Sequence, residues 1–431
     1  MEAWIARAAR LRGDRAALIT AGASVDYASL YAQARAVAGA LVARGVTAGD
    51  RVALALPSDE LVVALHGCLL IGAVAVPIDL RLREHERQPR EAGAALVLHS
   101  LDDVPLVRGS APALPEPRPI DPEATATMMF TSGTTAGPKP VALSYENWLW
   151  NAIGSAMALG LDPDETWLCP MPLAHVGGLS IQLRSAIYAT SVLLHDRFDT
   201  DRALAALMGE QPRVTLVSLV PTMLARLLDA GLREPPSLRR VLLGGGPIAP
   251  ALLRRAAVAG VNVAPSYGMT EACSQIATDG FPLLGVQLRI ADDEEILVRG
   301  RNVSAGALGA DGWLHTGDLG RLDDGGRLVI AGRKADTIVS GGENVAPAEV
   351  EAVLLEHPGV VDVAVFGRPD AEWGEAVVAH VVLAPGQTVA PEQLRVHCAE
   401  RLAPFKVPKR FEAVAGVPRG ITGKLLRREL T

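Results

Sequence analysis

Hydrophobic residues in the first half of the chain alternate between helical spacing and short continuous runs. Residues 27–45 (YASLYAQARAVAGALVARG) carry apolar positions three and four apart, as in an amphipathic helix, whereas 51–57 (RVALALP) and 94–100 (AALVLHS) are typical of buried strands. Similar runs and helical segments alternate again between residues 190 and 247. This alternation predicts an α/β fold with a parallel sheet.

The longest apolar stretch, LVVALHGCLLIGAVAVPIDL at 61–80, has the length of a membrane span. It contains His66, Gly72 and Pro77, however, and its spacing changes from helical to alternating halfway along. We therefore expect a buried helix that runs into a buried strand.

After about residue 285 the pattern changes to short strands and turns, including EILVRG at 295–300 and GRLVIAG at 326–332. The last hundred residues, roughly, then form a pattern of their own, with amphipathic helices at 346–359 and 391–404 around strands at 360–367 and 375–385. We predict two domains, residues 1–334 and a small α+β domain of residues 335–431.

Composition narrows the class of protein. A chain of 431 residues exceeds what one hydrophobic core usually organises, and 49% hydrophobic with 21% charged residues is ordinary for a soluble protein. A net charge of -7 provides no attraction for nucleic acid or anionic membrane. The N-terminus lacks a secretory pattern, and Cys68, Cys169, Cys273 and Cys398 are too scattered for a disulfide framework or zinc site. A reducing cytoplasm is the expected compartment.

The stretch TSGTTAGPKP at 131–140 combines hydroxyls, glycines and one lysine, as phosphate-binding loops do. It is not the P-loop of nucleotide-binding proteins, because Pro138 and Pro140 occupy the positions of that loop's second glycine and its hydroxyl residue. A polar surface loop is the alternative interpretation. The preceding ATATMMF favours a buried strand that delivers the loop to a sheet edge.

Five more stretches concentrate glycine, hydroxyl and charge: GGGP (244–247), SYGMTE (266–271), WLHTGD (313–318), AGRKADTIVSGGEN (331–344) and PRGITGK (418–424). Each is weak alone, but their order and separation, over nearly the whole chain, resemble the adenylate-forming superfamily of acyl- and aryl-CoA ligases, peptide-synthetase adenylation domains and luciferases. The resemblance implies a large N-terminal domain of layered α/β subdomains plus a β-rich subdomain, followed by a small mobile α+β domain.

The resemblance also implies a chemistry. A carboxylate attacks the α-phosphorus of ATP, pyrophosphate leaves, and the acyl adenylate passes to a thiol, with Mg²⁺ as cofactor and CoA as co-substrate. Residues carried over for ATP are the phosphate-loop positions Thr131, Ser132, Gly133, Thr134, Thr135 and Lys139, the adenine-side Gly244, Gly245, Gly246, Pro247 and Tyr267, and the ribose-side Asp318 and Arg333. The others are Thr270 at the α-phosphate, Glu271 at Mg²⁺, Lys424 as the bridging lysine, Gly341, Gly342 and Glu343 at CoA, and Ala335 as the hinge.

Three positions depart from the family pattern. Ala136 and Pro140 stand where relatives usually have glycine, and Ala335 stands where many have a polar or charged residue. We expect tighter or slower closure of the phosphate loop without loss of ATP binding, and a hinge that lacks a side-chain hydrogen bond.

The stretch MPLAHVGGLSIQLRSAIY at 171–188 carries the clue to the acid. It resembles the 2-succinylbenzoate-CoA ligases of menaquinone biosynthesis, in which a histidine and an arginine nine positions later lie beside the acyl pocket; here they are His175 and Arg184. Succinylbenzoate keeps a second carboxylate, and a buried anion needs a cationic partner. Ile181 and Tyr188 at helical spacing from Arg184 predict a partly buried position, and Ala174 replaces a common aromatic and predicts a wider pocket.

Other functions stay open on the sequence. The acid could be a different aryl or acyl acid, the acceptor could be a carrier protein, and Ala136 with Pro140 would also suit a catalytically silent nucleotide-binding paralogue. Three of the carried-over site residues also have a purely structural interpretation: Asp318 as a turn cap, Glu271 as the start of a helix and Lys424 as an exposed basic residue. The oligomeric state is open as well, a homodimer included.

Overall fold

The structure of the protein is a computed structural model that describes residues 1–82, 88–103, 119–131, 139–419 and 425–430. Ser132 to Pro138 of the expected phosphate loop, and the expected bridging lysine Lys424, lie outside these ranges. The helices are α1 Trp4–Arg12, α2 Tyr27–Ala43, α3 Ser58–Ile71, α4 Gln88–Glu91, α5 Tyr145–Leu159, α6 Val176–Tyr188, α7 Thr200–Met208, α8 Pro221–Asp229, α9 Pro250–Val258, α10 Pro347–Leu354 and α11 Pro391–Ala399.

The strands are numbered along the chain in the same way. They are β1 Ala16–Ile19, β2 Ser24–Asp26, β3 Arg51–Leu54, β4 Val74–Pro77, β5 Leu96–Leu98, β6 Thr125–Thr131, β7 Lys139–Ser144, β8 Thr166–Cys169, β9 Ser191–Leu194, β10 Leu216–Leu219, β11 Arg240–Leu243, β12 Val263–Met269, β13 Ser274–Thr278, β14 Phe281–Pro282, β15 Val286–Ile290, β16 Glu295–Gly300, β17 Leu314–Leu322, β18 Leu328–Arg333, β19 Ile338–Ser340, β20 Glu343–Val345, β21 Val360–Asp370, β22 Gly374–Leu383 and β23 Arg410–Ala413.

Two sheets with parallel centres contain all the strands from β1 to β14. The nine-stranded sheet has the order β14-β13-β12-β11-β10-β8-β9-β1-β2 and is parallel from β12 to β1. The five-stranded sheet has the order β5-β3-β4-β6-β7, with β7 antiparallel at its edge. The predicted α/β class is thus confirmed, but the alternation did not reveal that the strands divide between two sheets.

The apolar stretch at 61–80 forms the predicted buried helix and strand. Helix α3 ends at Ile71, Gly72 adopts the left-handed conformation as its C-cap, and β4 follows. Within the described ranges, the structure contains no helix that is long and apolar enough to cross a membrane.

The remaining two sheets are antiparallel or mixed. Strands β15-β16-β17-β18 form an antiparallel sheet with its own small apolar cluster. The C-terminal sheet, β20-β19-β22-β21 with β23 beside β22, packs with α10 and α11 around another core that includes Val350, Val365 and Leu394. The boundary between residues 334 and 335 stays a prediction.

Candidate active site

Tyr267, Asp318 and Arg333 come together where β12 approaches the middle of β17 and the end of β18. The Tyr267 hydroxyl donates to Asp318 Oδ2 at 2.7 Å, and Arg333 Nε lies 2.7 Å from Asp318 Oδ1. Asp318 is only 6% exposed. Burial and the adjacent carboxylate raise the pKa of Tyr267, so its hydroxyl stays protonated as a donor.

The register of one strand pair builds most of this group. Asp318 on β17 is paired directly with Arg333 on β18, so their side chains start as cross-strand neighbours. Asp318 N–H donates to Thr316 Oγ1 at 3.1 Å, and Arg333 Nη1 donates to the Thr316 carbonyl at 3.3 Å. The carboxylate and guanidinium are therefore held in one orientation.

Gly244 and Gly245 form the bend that leaves β11 beside this group. A Cβ atom on Gly244 would lie 3.0 Å from the Ser266 carbonyl, and Gly245 has a φ of +79°. Position 245 favours glycine because its φ lies in the left-handed region, and a side chain at Gly244 would be crowded against the backbone of β12. The bend places the GGGP backbone against β12, which carries Tyr267.

Thr270 and Glu271 lie on a short 3-10 turn, Thr270–Ala272, directly after β12. The Glu271 carbonyl accepts from Ser304 N at 2.8 Å, and both side chains are half-buried. The turn packs against β6 and β7. These strands form an antiparallel hairpin in which Thr131 pairs with Lys139, so the two ends of the expected phosphate loop lie on the hairpin that the turn contacts.

His175 lies at the N-terminal end of α6 and contacts a pair of residues that follow β4. Its Nε2 atom is 3.1 Å from Asp79 Oδ2 and 3.0 Å from Arg81 Nη2. Sequence reasoning missed Asp79 and Arg81. The signal available was two charged residues at the end of a buried apolar run, at the sheet edge where functional groups gather.

Arg184 is almost entirely buried, at 1% exposure, and not partly buried as the helical spacing predicted. Helix α6 is enclosed nearly all round, since residues 178–186 are all buried. Arg184 Nη2 donates to Asn151 Oδ1, and its guanidinium carbon lies 5.7 Å from the Trp167 ring centre. In the part of the chain that the structure describes, no acidic side chain forms an ion pair with it, and its Nε and Nη1 have no hydrogen-bond partner.

The C-terminal glycines form the tip of a hairpin. Gly341 and Gly342, with φ of +61° and +85°, connect β19 to β20, and Glu343 begins β20. The tip is exposed, and Gly341 N–H donates to the Trp373 carbonyl at 2.8 Å. The structure therefore places these three residues in the sheet of the C-terminal unit.

Ala335 lies in a 3-10 turn whose two neighbours are held by ion pairs. Lys334 Nζ lies 2.6 Å from Asp293 Oδ2, and Asp336 Oδ2 accepts from Arg427 Nε at 3.0 Å. The expected hinge, Ala335, has no polar side chain. Its neighbour Lys334 pairs with a residue that precedes it in the chain, Asp293, and its neighbour Asp336 pairs with Arg427 of the C-terminal unit.

Arg427 connects the last described segment to the body of the C-terminal unit. Its Nη1 and Nη2 donate to the two oxygens of Glu351 at 2.6 and 2.9 Å, and Glu351 Oε1 also accepts from Val365 N. The paired carboxylates hold the pKa of Arg427 above its ordinary value despite burial.

We expect Arg427→Ala to destabilise the C-terminal unit by about 2 kcal/mol, because it leaves the buried carboxylate of Glu351 without its partner. Denaturant unfolding measures the change. Arg401→Ala is the matched control, since Arg401 pairs with exposed glutamates on the same unit, and we expect it to shift stability by less than about 0.5 kcal/mol. Equal shifts for the two variants would contradict the assignment.

The fold is that of an adenylate-forming enzyme. It combines a layered α/β core with a β-rich subdomain and a small α+β unit. Asp318, Arg333 and Tyr267 are grouped beside glycine-rich turns. The chain belongs to the AMP-binding enzyme family. The model of the AMP-binding enzyme matches residues 5–308, and that of the AMP-binding enzyme C-terminal domain matches residues 349–424.

Relatives with full-length similarity are 2-succinylbenzoate–CoA ligases. The one from Bacillus subtilis is 37% identical, with 99% of this chain and 97% of the relative covered. The one from Listeria monocytogenes serotype 4b is 36% identical, with 100% and 99% covered.

Two solved structures are similar to this chain over nearly their whole length. o-Succinylbenzoate CoA synthetase from Bacillus subtilis in complex with its acyl-adenylate intermediate has a TM-score of 0.89 at 37% identity, covering 100% of this chain and 98% of that one. ATP-bound MatB from Rhodopseudomonas palustris has a TM-score of 0.88 at 29% identity, covering 99% and 98%.

Proposed function

We propose that this protein is an ATP- and Mg²⁺-dependent 2-succinylbenzoate–CoA ligase of menaquinone biosynthesis. The succinylbenzoate carboxylate forms a bond to the α-phosphorus of ATP, and pyrophosphate departs. The CoA sulfur then bonds to the acyl carbon of the adenylate, AMP departs, and 2-succinylbenzoyl-CoA is released. Full-length similarity to ligases of that name supports the reaction.

The observation that carries the choice of acid is the buried guanidinium of Arg184, which has no acidic partner among the described residues. A buried cation without a counter-ion costs free energy, so a role that supplies an anion explains its presence. The carboxylate that stays on the aromatic ring of succinylbenzoate is such an anion. Nε and Nη1 of Arg184 are the donors that would bind it.

In this proposal different residues bind the ribose, the adenine and the phosphates of ATP. Asp318 accepts from the ribose hydroxyls, with Arg333 fixing the carboxylate, and Tyr267 stacks on adenine opposite the backbone of Gly244 to Pro247. The hydrogen bond from Tyr267 to Asp318 supports this arrangement, because it joins the adenine and ribose positions. Thr131, Lys139 and Thr270 act on the phosphates with Ser132 to Thr135, and Lys424 bridges the carboxylate and the α-phosphate; Ser132 to Thr135 and Lys424 lie outside the described residues.

Glu271 fits a magnesium ion that arrives with the nucleotide. The described residues form no group of three or more histidine, cysteine or acidic side chains that could hold a metal alone. Mg²⁺ commonly uses one or two carboxylates plus substrate phosphates, and Glu271 supplies one such oxygen ligand beside the phosphate hairpin. When bound, the ion neutralises charge on the phosphates.

The second half-reaction requires the C-terminal unit to turn about Ala335. Gly341, Gly342 and Glu343 then line the path of the CoA thiol, and Lys424 leaves the adenylate. The exposed hairpin tip and the ion pairs on either side of Ala335 support two alternative orientations.

The test is an acid panel incubated with ATP, Mg²⁺ and CoA, with thioester products detected by mass. We expect one dominant product, with 2-succinylbenzoate. A broad product profile would leave a general acyl- or aryl-CoA ligase, and transfer to a carrier protein in place of CoA would indicate a carrier-loading enzyme. Absence of acid-dependent ATP–pyrophosphate exchange across the panel would indicate a silent paralogue.

We place the enzyme in the cytoplasm, since its four cysteines are unpaired and buried, as thiols of a reducing compartment are. A homodimer is the assembly to test, and light scattering on the purified chain distinguishes it from a monomer.

A further inference from the structure

Asp79 is a buried carboxylate at the end of β4 that collects hydrogen bonds from one arginine. It is 6% exposed, and Arg81 donates to it through Nε at 2.7 Å, Nη2 at 2.6 Å and its backbone N–H at 3.1 Å. Asp79 N–H in turn donates to Gln88 Oε1 at 3.3 Å. These bonds hold the pKa of Asp79 well below its ordinary value although burial opposes them, so the group is an anion at neutral pH.

His175 completes the group from another part of the fold. It precedes α6, in extended conformation and without a side-chain cap on the helix. Its ring nitrogen Nε2 is 3.1 Å from Asp79 Oδ2 and 3.0 Å from Arg81 Nη2. The five-stranded sheet, through β4, thus contacts the helix that follows β8 of the nine-stranded sheet.

Both contacts end on the same nitrogen of the histidine. Arginine can only donate, and the carboxylate can only accept, so the proton on Nε2 decides which contact is a hydrogen bond. Arg81 already donates twice to Asp79 from its side chain. A carboxylate is the stronger partner for an imidazole N–H, which favours the Nε2–H form with Nδ1 left to accept from a ligand.

We propose that Asp79 and Arg81 are positioning residues that fix the ring orientation and tautomer of His175 on the acyl side of the active site. This rests on the proposed function, to which we add that His175 borders the bound acid, as the family resemblance implies. The pair acts through His175 and does not itself touch substrate. It also holds the start of α6, the helix that carries Arg184, against the end of β4.

The experiment is a double-mutant cycle on steady-state ligase activity. Asp79→Asn keeps the shape of the side chain but removes the charge, and we expect KM for 2-succinylbenzoate to rise about tenfold, with KM for ATP changed less than about twofold. His175→Ala should raise the same KM, and Asp79→Asn should add little on top of His175→Ala, because the contact is then already lost.

Two further variants keep the test decisive. Arg81→Gln probes the same group if Asp79→Asn does not fold, and we expect it to raise KM for the acid as well. Glu60→Gln is the matched control: Glu60 accepts from Leu101 N in the same subdomain at 2.8 Å, and we expect unchanged KM values.

Failure of the inference differs from failure of the proposed function. If His175→Ala raises KM for the acid while Asp79→Asn and Arg81→Gln do not, or if their effects add fully to it, the positioning role is wrong and the ligase assignment stands. If His175→Ala leaves KM unchanged, His175 does not border the acid, and both the positioning role and that part of the proposed function are wrong. A loss of stability alone would lower the apparent kcat and leave KM for ATP and for the acid unchanged, and that result would contradict the positioning role.

Discussion

Arg184→Met is expected to lower kcat/KM for 2-succinylbenzoate about 100-fold while leaving the protein at least as stable as before. Methionine fills a similar volume without charge. The guanidinium is buried with no acidic partner in the described ranges, so its removal relieves a desolvation cost in the unliganded protein. Burial disfavours the charged form of Arg184 and lowers its pKa from the ordinary value.

The activity loss follows from the bound state. A charge-assisted hydrogen bond to a buried carboxylate contributes about 1.5–3 kcal/mol, and the loss of two such bonds at the lower figure, about 3 kcal/mol together, accounts for roughly 100-fold. An acid that lacks the second carboxylate should lose little, because it never made this contact. Steady-state kinetics with both acids, and denaturant unfolding of both proteins, measure the two halves of the prediction.

Gln182→Met is the matched control on the same helix. Gln182 is buried at 4% exposure and polar but uncharged, so we expect discrimination between the two acids to be retained. If Arg184→Met destabilises the protein and reduces turnover of both acids equally, Arg184 is a structural residue and the choice of acid depends on other groups.

The sequence predicted elements well where their signal is local. The strand before the phosphate loop, β6, and the helix-to-strand transition from α3 to β4 lie where apolar spacing placed them. Assignment of these strands to two sheets was not predictable in the same way. For example, β4 pairs with β6 through Ala75 and Thr127, which are far apart in the sequence. The local spacing of apolar residues does not indicate which strand will be the neighbour.

The site residues that local motifs identify were predicted, and those that depend on distant contacts were not. Asp318, Arg333 and Tyr267 were each identified through motifs, and the structure places them together, although motif order alone does not reveal that Tyr267 donates to Asp318. Asp79 was missed because its significance depends on His175, nearly a hundred positions away. The full burial of Arg184 was not predicted, because helical spacing identifies only one buried face of a helix, whereas residues 178–186 of α6 are buried on every face.

Asp318→Asn is expected to raise KM for ATP and to lower kcat/KM for ATP–pyrophosphate exchange about 100-fold. The substitution keeps the shape of the side chain and can still accept from Tyr267, but it ends the ion pair with Arg333 and weakens acceptance from ribose hydroxyls. Loss of two charge-assisted hydrogen bonds at about 1.5 kcal/mol each accounts for the change. KM for the acid should change little, because Asp318 acts on the nucleotide.

Tyr267→Phe separates the orientation of Asp318 from its charge. Phenylalanine preserves the aromatic face and removes the 2.7 Å hydrogen bond to Asp318, while Arg333 still holds the carboxylate. We therefore expect a loss of about tenfold at most in exchange activity, through a less fixed carboxylate. If Tyr267→Phe instead costs as much as Asp318→Asn, the hydroxyl has a direct part in binding ATP, and the role of Tyr267 as a stacking surface is incomplete.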